Sequence, residues 1–151
     1  MEVNDLKSYL KLEIIWRDEH MFELKVTASN KRFSGTTEVY DTSESLYNFA
    51  QKLIGFPKDD KQLMYELGKQ NGYAFCSLKF YCIDGFGKIG VHIILEDNVN
   101  TEFRNEEKSK VKFEIIVEPA AIDNFQKNLL DLSNKQKGIA LLYGNDNRLI
   151  N

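Results

Sequence analysis

Little in this sequence invites a covalent or metal-centred reading. Its 151 residues contain only two histidines and two cysteines. Neither His20 nor His92 stands at ligand spacing from a cysteine or from the other histidine, so no zinc set can be assembled. The acidic residues Glu96, Asp97, Glu102, Glu106 and Glu107 lack the regular positions around a central glycine that a calcium loop requires. Gly85-Phe86-Gly87 joins two strands and leads into no helix, which excludes a dinucleotide fingerprint. No apolar run approaches the ~20 residues of a membrane helix. The start, Met1-Glu2-Val3-Asn4-Asp5, has neither the basic end nor the apolar segment of a secretory signal, so a cytoplasmic location without membrane attachment is expected. Only two prolines and nine glycines occur, which leaves little room for disorder. Charge of one sign is lacking too: 20 basic and 23 acidic residues are interspersed, against the basic footprint that nucleic-acid binding needs. No cofactor, no metal and no catalytic residue is expected.

What the chain does have is alternation. Ala74, Cys76, Leu78, Phe80 and Cys82 alternate with Phe75, Ser77, Lys79, Tyr81 and Ile83, the period of two that makes a strand. Gly85-Phe86-Gly87-Lys88 is a turn, and Ile89, Val91, Ile93 and Leu95 then alternate with Gly90, His92, Ile94 and Glu96. Both apolar sets must land on one face, and pairing Cys82 with Val91, Phe80 with Ile93 and Leu78 with Leu95 does so. The other face mixes Phe75, Tyr81, Ile83 and Ile94 with Lys79, His92 and Glu96. One-sided antiparallel sheets usually turn a polar face outward, so this face is either thinly covered or open to a partner.

The rest of the chain reads as cover for this hairpin. Strands are expected around residues 10–17, 22–28 and 33–40, as a meander with Trp16 on the core side. A helix follows with Asp41 as N-cap and Glu44 at capping-box spacing. Its apolar face is Leu46, Phe49, Ala50 and Leu53, and Gly55 and Pro57 end it. Leu63–Leu67 is a short strand and Asp97–Lys110 a long charged connection. Val111–Val117 is another strand. A second helix has Pro119 in its first turn and Ile122, Phe125, Leu129 and Leu132 on one face, and Gly138 closes the helical region. Residues 139–143 form a last short strand.

This order predicts a single α+β domain over residues 1–151. Its expected core is one twisted antiparallel sheet of seven or eight strands with both helices on one face. A two-sheet sandwich flanked by helices is the alternative. On one strand Cys76 and Cys82 stand about 20 Å apart, too far for a disulfide, so they read as buried thiols. Ser77 with His92 and Glu96 is the one trio resembling a hydrolytic set. A serine on a flat strand, however, lacks the exposed turn and oxyanion donors of that chemistry.

The segments Phe33-Ser34-Gly35-Thr36-Thr37-Glu38-Val39-Tyr40, Gly55-Phe56-Pro57 and Leu95-Glu96-Asp97-Asn98 resemble small stand-alone bacterial proteins, some of them similar to the immunity partners of polymorphic toxins. That resemblance implies a binding role and transfers no functional residue. The expectation is therefore a non-enzymatic interaction module of immunity or adaptor type. It would meet a protein partner through Lys79, Tyr81, His92, Glu96, Asp97 and Arg104, on the mixed face and the 97–110 loop, with a homodimer through a strand edge left open. The alternative is a small-ligand binder or hydrolase with a pocket between sheet and helix, using His92, Glu96 and Asp97.

Overall fold

The computed structural model describes residues 7–84, 87–98 and 104–145. Within them the alternating segments form eight strands: β1 Tyr9–Arg17, β2 Phe22–Ser29, β3 Ser34–Asp41, β4 Gln62–Gly68, β5 Ala74–Cys82, β6 Ile89–Asn98, β7 Lys108–Val117 and β8 Gly138–Tyr143. Helix α1 is Ser43–Leu53 and α2 is Pro119–Lys135, with a 3-10 turn at Asn105–Glu107. The long connection is thus shorter than expected, since β6 runs on to Asn98 and β7 begins at Lys108.

The strands do not build one sheet of seven or eight. They form two antiparallel sheets of four, ordered β3-β2-β1-β8 and β4-β5-β6-β7, consistent with the two-sheet alternative. Area explains the split. Eight strands at ~4.8 Å spacing span about 38 Å, and two helices about 10 Å across cover only half of that. Two sheets can cover one another. Strand β3 touches all four strands of the second sheet, as a strand running across them does. Near its start, a side chain at Gly35 would meet Val111 Cγ1 at 2.6 Å. Farther along, Thr37 Oγ1 donates to the Glu96 carbonyl at 2.7 Å.

The helices close what the sheets leave open. Phe49 of α1 stacks on Tyr65 at 4.1 Å and leans on Phe80 at 5.7 Å, and Phe80 meets Phe125 of α2 at 6.4 Å. Since α2 also packs on β8, it bridges both sheets, and one contiguous core results. The apolar faces foreseen for both helices are the buried ones. Their ends differ from expectation. Thr42, not Asp41, is the N-cap of α1, and its Oγ1 accepts the Ser45 N–H at 3.2 Å. Asp41 completes β3 opposite Phe22 and shares the inward parity of Thr37 and Val39. Helix α2 ends at Gln136, which takes the left-handed conformation, and Gly138 opens β8 instead of ending the helix. Gln136 Nε2 donates to Ser43 Oγ at 2.6 Å, tying the end of one helix to the start of the other.

Two further expectations are corrected. Trp16 does not face the core. The β1–β2 register slips between Ile14 and Trp16, so the alternation restarts one residue late, and Trp16 stands on the outer face, 47 % exposed. The central hairpin is also shifted by two residues: Cys82 pairs with Ile89, Phe80 with Val91 and Leu78 with Ile93. Facing is preserved, because a shift of two keeps each side chain on its side. In the observed register Gly90 lies opposite Tyr81, and its missing side chain leaves room for the ring.

Both cysteines are free. Burial, reinforced by the charge of Glu66, pushes the Cys76 thiol up to about 12, whereas Cys82 is only half-buried. Iodoacetamide at about pH 8 should therefore modify Cys82 alone in the native chain and both thiols after denaturation. A mass spectrum showing native modification of Cys76 contradicts this packing.

Asp41 is 6 % exposed, and its Oδ2 has no hydrogen-bond partner while Oδ1 accepts the Thr42 N–H at 2.8 Å. Burial raises its pKa to about 6, against the lowering effect of the Thr42 and Ser45 hydrogen bonds. A raised carboxylate pKa means that the fold takes up a proton more readily than the unfolded chain. This group therefore adds stability as pH falls through 6 and withdraws it as pH rises. Asp41→Asn should be more stable than the native chain near pH 7.5, by up to about 3 kcal/mol, with the gap narrowing as pH falls through 6 and closing only below about pH 4. Melting curves of both proteins across that range check the sign.

Candidate interaction face

The outer face of the second sheet follows from parity. Lys79 and Tyr81 of β5, Gly90, His92 and Ile94 of β6, and Lys110, Lys112 and Glu114 of β7 all point away from the core, as does Met64 of β4. Lys79 lies directly opposite His92, and His92 opposite Glu114. The register brings Lys79, Tyr81 and His92 together as expected, although Tyr81 lies opposite Gly90 and not opposite His92.

Tyr81 is held in place. A Cβ on Gly90 would meet its ring at 2.6 Å, so the ring lies flat across the bare glycine. Its hydroxyl donates to Glu114 Oε1. Partial burial, with the Glu114 carboxylate alongside, pushes the phenol up to about 12, so it stays a neutral donor throughout the ordinary pH range. Lys79 Nζ stands 5.7 Å from the ring centroid, within cation–π reach. These contacts hold the Tyr81 ring with the Lys79 cation beside it, and His92 lies opposite Lys79 on the same face.

Glu96 does something different. It is 2 % exposed, and its Oε1 accepts the Asn71 N–H at 2.9 Å and Asn98 Nδ2 at 3.4 Å. Asn98 Nδ2 also donates to the Gly72 carbonyl at 2.8 Å, and the Asn98 N–H to Tyr73 O at 2.8 Å. Together they pin the 69–73 turn down over this end of the sheet, with Lys110 Nζ 3.9 Å from Glu96 Oε2. Glu96 is thus a support for a loop and not an accessible group. Ser77 is buried, which removes the trio with His92 from contact with any substrate.

The remaining two expected residues stand apart. Asp97 is exposed but has the parity of the inner face. With Ser34, Gly35, Thr36, Leu95, Ser109, Lys110 and Val111 it lines an open groove of about 280 Å³ where β3 crosses β6 and β7. Arg104 is exposed, with Glu107 at 3.8 Å; residues 99–103 of its loop lie outside the described residues. Among the described residues no group of three or more His, Cys, Asp and Glu is arranged to hold a metal ion, and no helix is long and apolar enough to cross a membrane. Sequence reasoning left out Met64, Lys112 and Glu114. The signal was present in the alternation of β4 and β7, which carries each of them to the same face once the strand order is known.

The dependence of Tyr81 on Gly90 can be measured. Gly90→Ala should cost about 1–2 kcal/mol in the native background, as overpacking does, and close to nothing when Tyr81 is already alanine. Denaturant melts of the two single variants and the double variant give the coupling. An equal cost in both backgrounds would show that the ring does not rest on the glycine.

Comparison of the chain with family models, with curated proteins and with solved structures returns no match.

Proposed function

We propose that this chain is a non-enzymatic protein-interaction module that meets a protein partner through the outer face of its second sheet, centred on Lys79, Tyr81 and His92. One observation carries this reading: an aromatic ring is immobilised on a half-open sheet face by a facing glycine and a carboxylate. A tyrosine ordered before binding loses little entropy on association, and tyrosines are over-represented among residues that dominate interface energies. Lys79, His92 and Ile94 around it are half-buried, a mixture of apolar and polar contact typical of non-obligate interfaces. The immunity- or adaptor-type role suggested by the segmental resemblance is the form this reading takes.

The ligand-binding alternative draws support from the groove at β3, β6 and β7, whose Asp97 and Ser109 could orient a small polar molecule. Of the three groups expected to serve such a site, only Asp97 lines it; His92 and Glu96 have the opposite parity.

A tagged native pull-down with mass spectrometry discriminates between the readings. The interaction reading expects one protein retained at near-equal stoichiometry by the native chain. The variant Tyr81→Ala/His92→Ala, folded by circular dichroism, should lose at least about tenfold of that retention, the scale of a central aromatic contact. Undiminished capture by the folded variant removes this face from the interface.

A further inference from the structure

The first sheet carries a second constellation on its own outer face. Glu23 of β2 lies directly opposite Trp16 across β1 and directly opposite Tyr40 across β3. The two rings lean toward each other over it, with centroids 6.2 Å apart and planes at 85°. Both rings stay open to solvent, at 47 % for Trp16 and 55 % for Tyr40. In this edge-to-face pair the edge of one ring meets the face of the other, and the ring faces left open, together with the Glu23 carboxylate, make a corner of negative potential. Such a corner suits a cation.

Among the described residues no cation fills it. The Arg17 guanidinium next to Trp16 is turned away, with Nη1 donating to the Lys135 carbonyl at 3.4 Å. Lys25, the next outward residue of β2, lies between two acids of its own, opposite Glu13 on one side and Glu38 on the other. Among the described residues Glu23 has no hydrogen bond or ion pair, and neither ring has a cation over it. The backbone is arranged for this exposure: without the irregularity at Ile15, alternation would send Trp16 into the core.

We propose that Trp16, Tyr40 and Glu23 form a recognition site for an organic cation, an alkylammonium or guanidinium group. Two sources share that chemistry: a lysine or arginine side chain of a basic protein surface, and a free quaternary ammonium compound. The site is independent of the face around Tyr81 and does not rest on the function proposed for it.

Trp16 is the only tryptophan, so its fluorescence reports on the site directly. The full chain is titrated at constant ionic strength with choline, with N-acetyl-lysine methylamide and with N-acetyl-arginine methylamide. The uncharged isostere 3,3-dimethylbutan-1-ol serves as reference. At least one cation should change the emission saturably in the millimolar range expected for exposed cation–π contacts, and the isostere should not. A stronger response to choline assigns a free quaternary ammonium ligand. A stronger response to the lysine or arginine amide assigns a basic protein surface. Glu23→Gln should weaken the response about threefold and Tyr40→Leu about fivefold, while Tyr81→Ala/His92→Ala leaves it unchanged. No saturable response to any of the three cations, or an equal response to the neutral alcohol, overturns the proposal. So does a response that survives both Glu23→Gln and Tyr40→Leu.

Discussion

Two helices cover too little area for eight strands, and the rest of this structure follows from that shortage. The apolar faces of β1, β2, β5 and β6 each need an opposing layer. With helix surface for only part of them, the sheets must oppose one another, and β3 crosses all four strands of the second sheet to make the contact. Close approach then restricts what the crossing can hold. Gly35 has no side chain because Val111 occupies the space, and Thr37 buries its hydroxyl only by giving its hydrogen to the Glu96 carbonyl. Where the sheets diverge, Phe49, Phe80 and Phe125 fill the gap as a relay of rings from one helix through β5 to the other.

Buried polar groups show how the margins are held. Glu96 and Asn98 fasten the 69–73 turn to the sheet by accepting and donating to its backbone, which is the condition under which a buried carboxylate is tolerated. Asp41 and Glu96 each meet that condition on one oxygen only, since Asp41 Oδ2 and Glu96 Oε2 have no hydrogen-bond partner, and burial raises the pKa of Asp41.

Element type was readable from the chain because it depends on local pattern. Period-two alternation marks each of the strands, and the helix faces at Leu46–Leu53 and Ile122–Leu132 were visible from spacing alone. Arrangement was not readable, since whether eight strands form one sheet or two depends on area shared between segments distant in sequence. The hairpin register was not readable either, because a pairing shifted by two keeps the same residues inside, and the fit of Tyr81 over Gly90 shows only once the strands are paired. Trp16 was misplaced for a similar reason. A bulge inserts one residue without changing composition, and Trp16 after Ile14 reads as core until the pairing with Glu23 is known. Of the expected site, Lys79, Tyr81 and His92 came together because parity alone places them. Glu96 and Asp97, adjacent in sequence, were bound to be separated by that same parity, one onto each face.

The two outer faces share a physical device. Each presents an aromatic side chain that ordinary alternation and packing would have covered or left loose. On the second sheet a glycine gives up its own side chain so that Tyr81 can lie across the backbone, and on the first a register slip turns Trp16 outward. Leaving a large aromatic side chain in water forgoes roughly 1.5–3 kcal/mol of burial, and a glycine within a strand costs more in conformational freedom. Under the two proposals made above, both departures serve contact with another molecule. On that reading the core of this chain is a spacer that holds two differently built surfaces apart, one offering a fixed tyrosine among cations and the other an acidic aromatic corner.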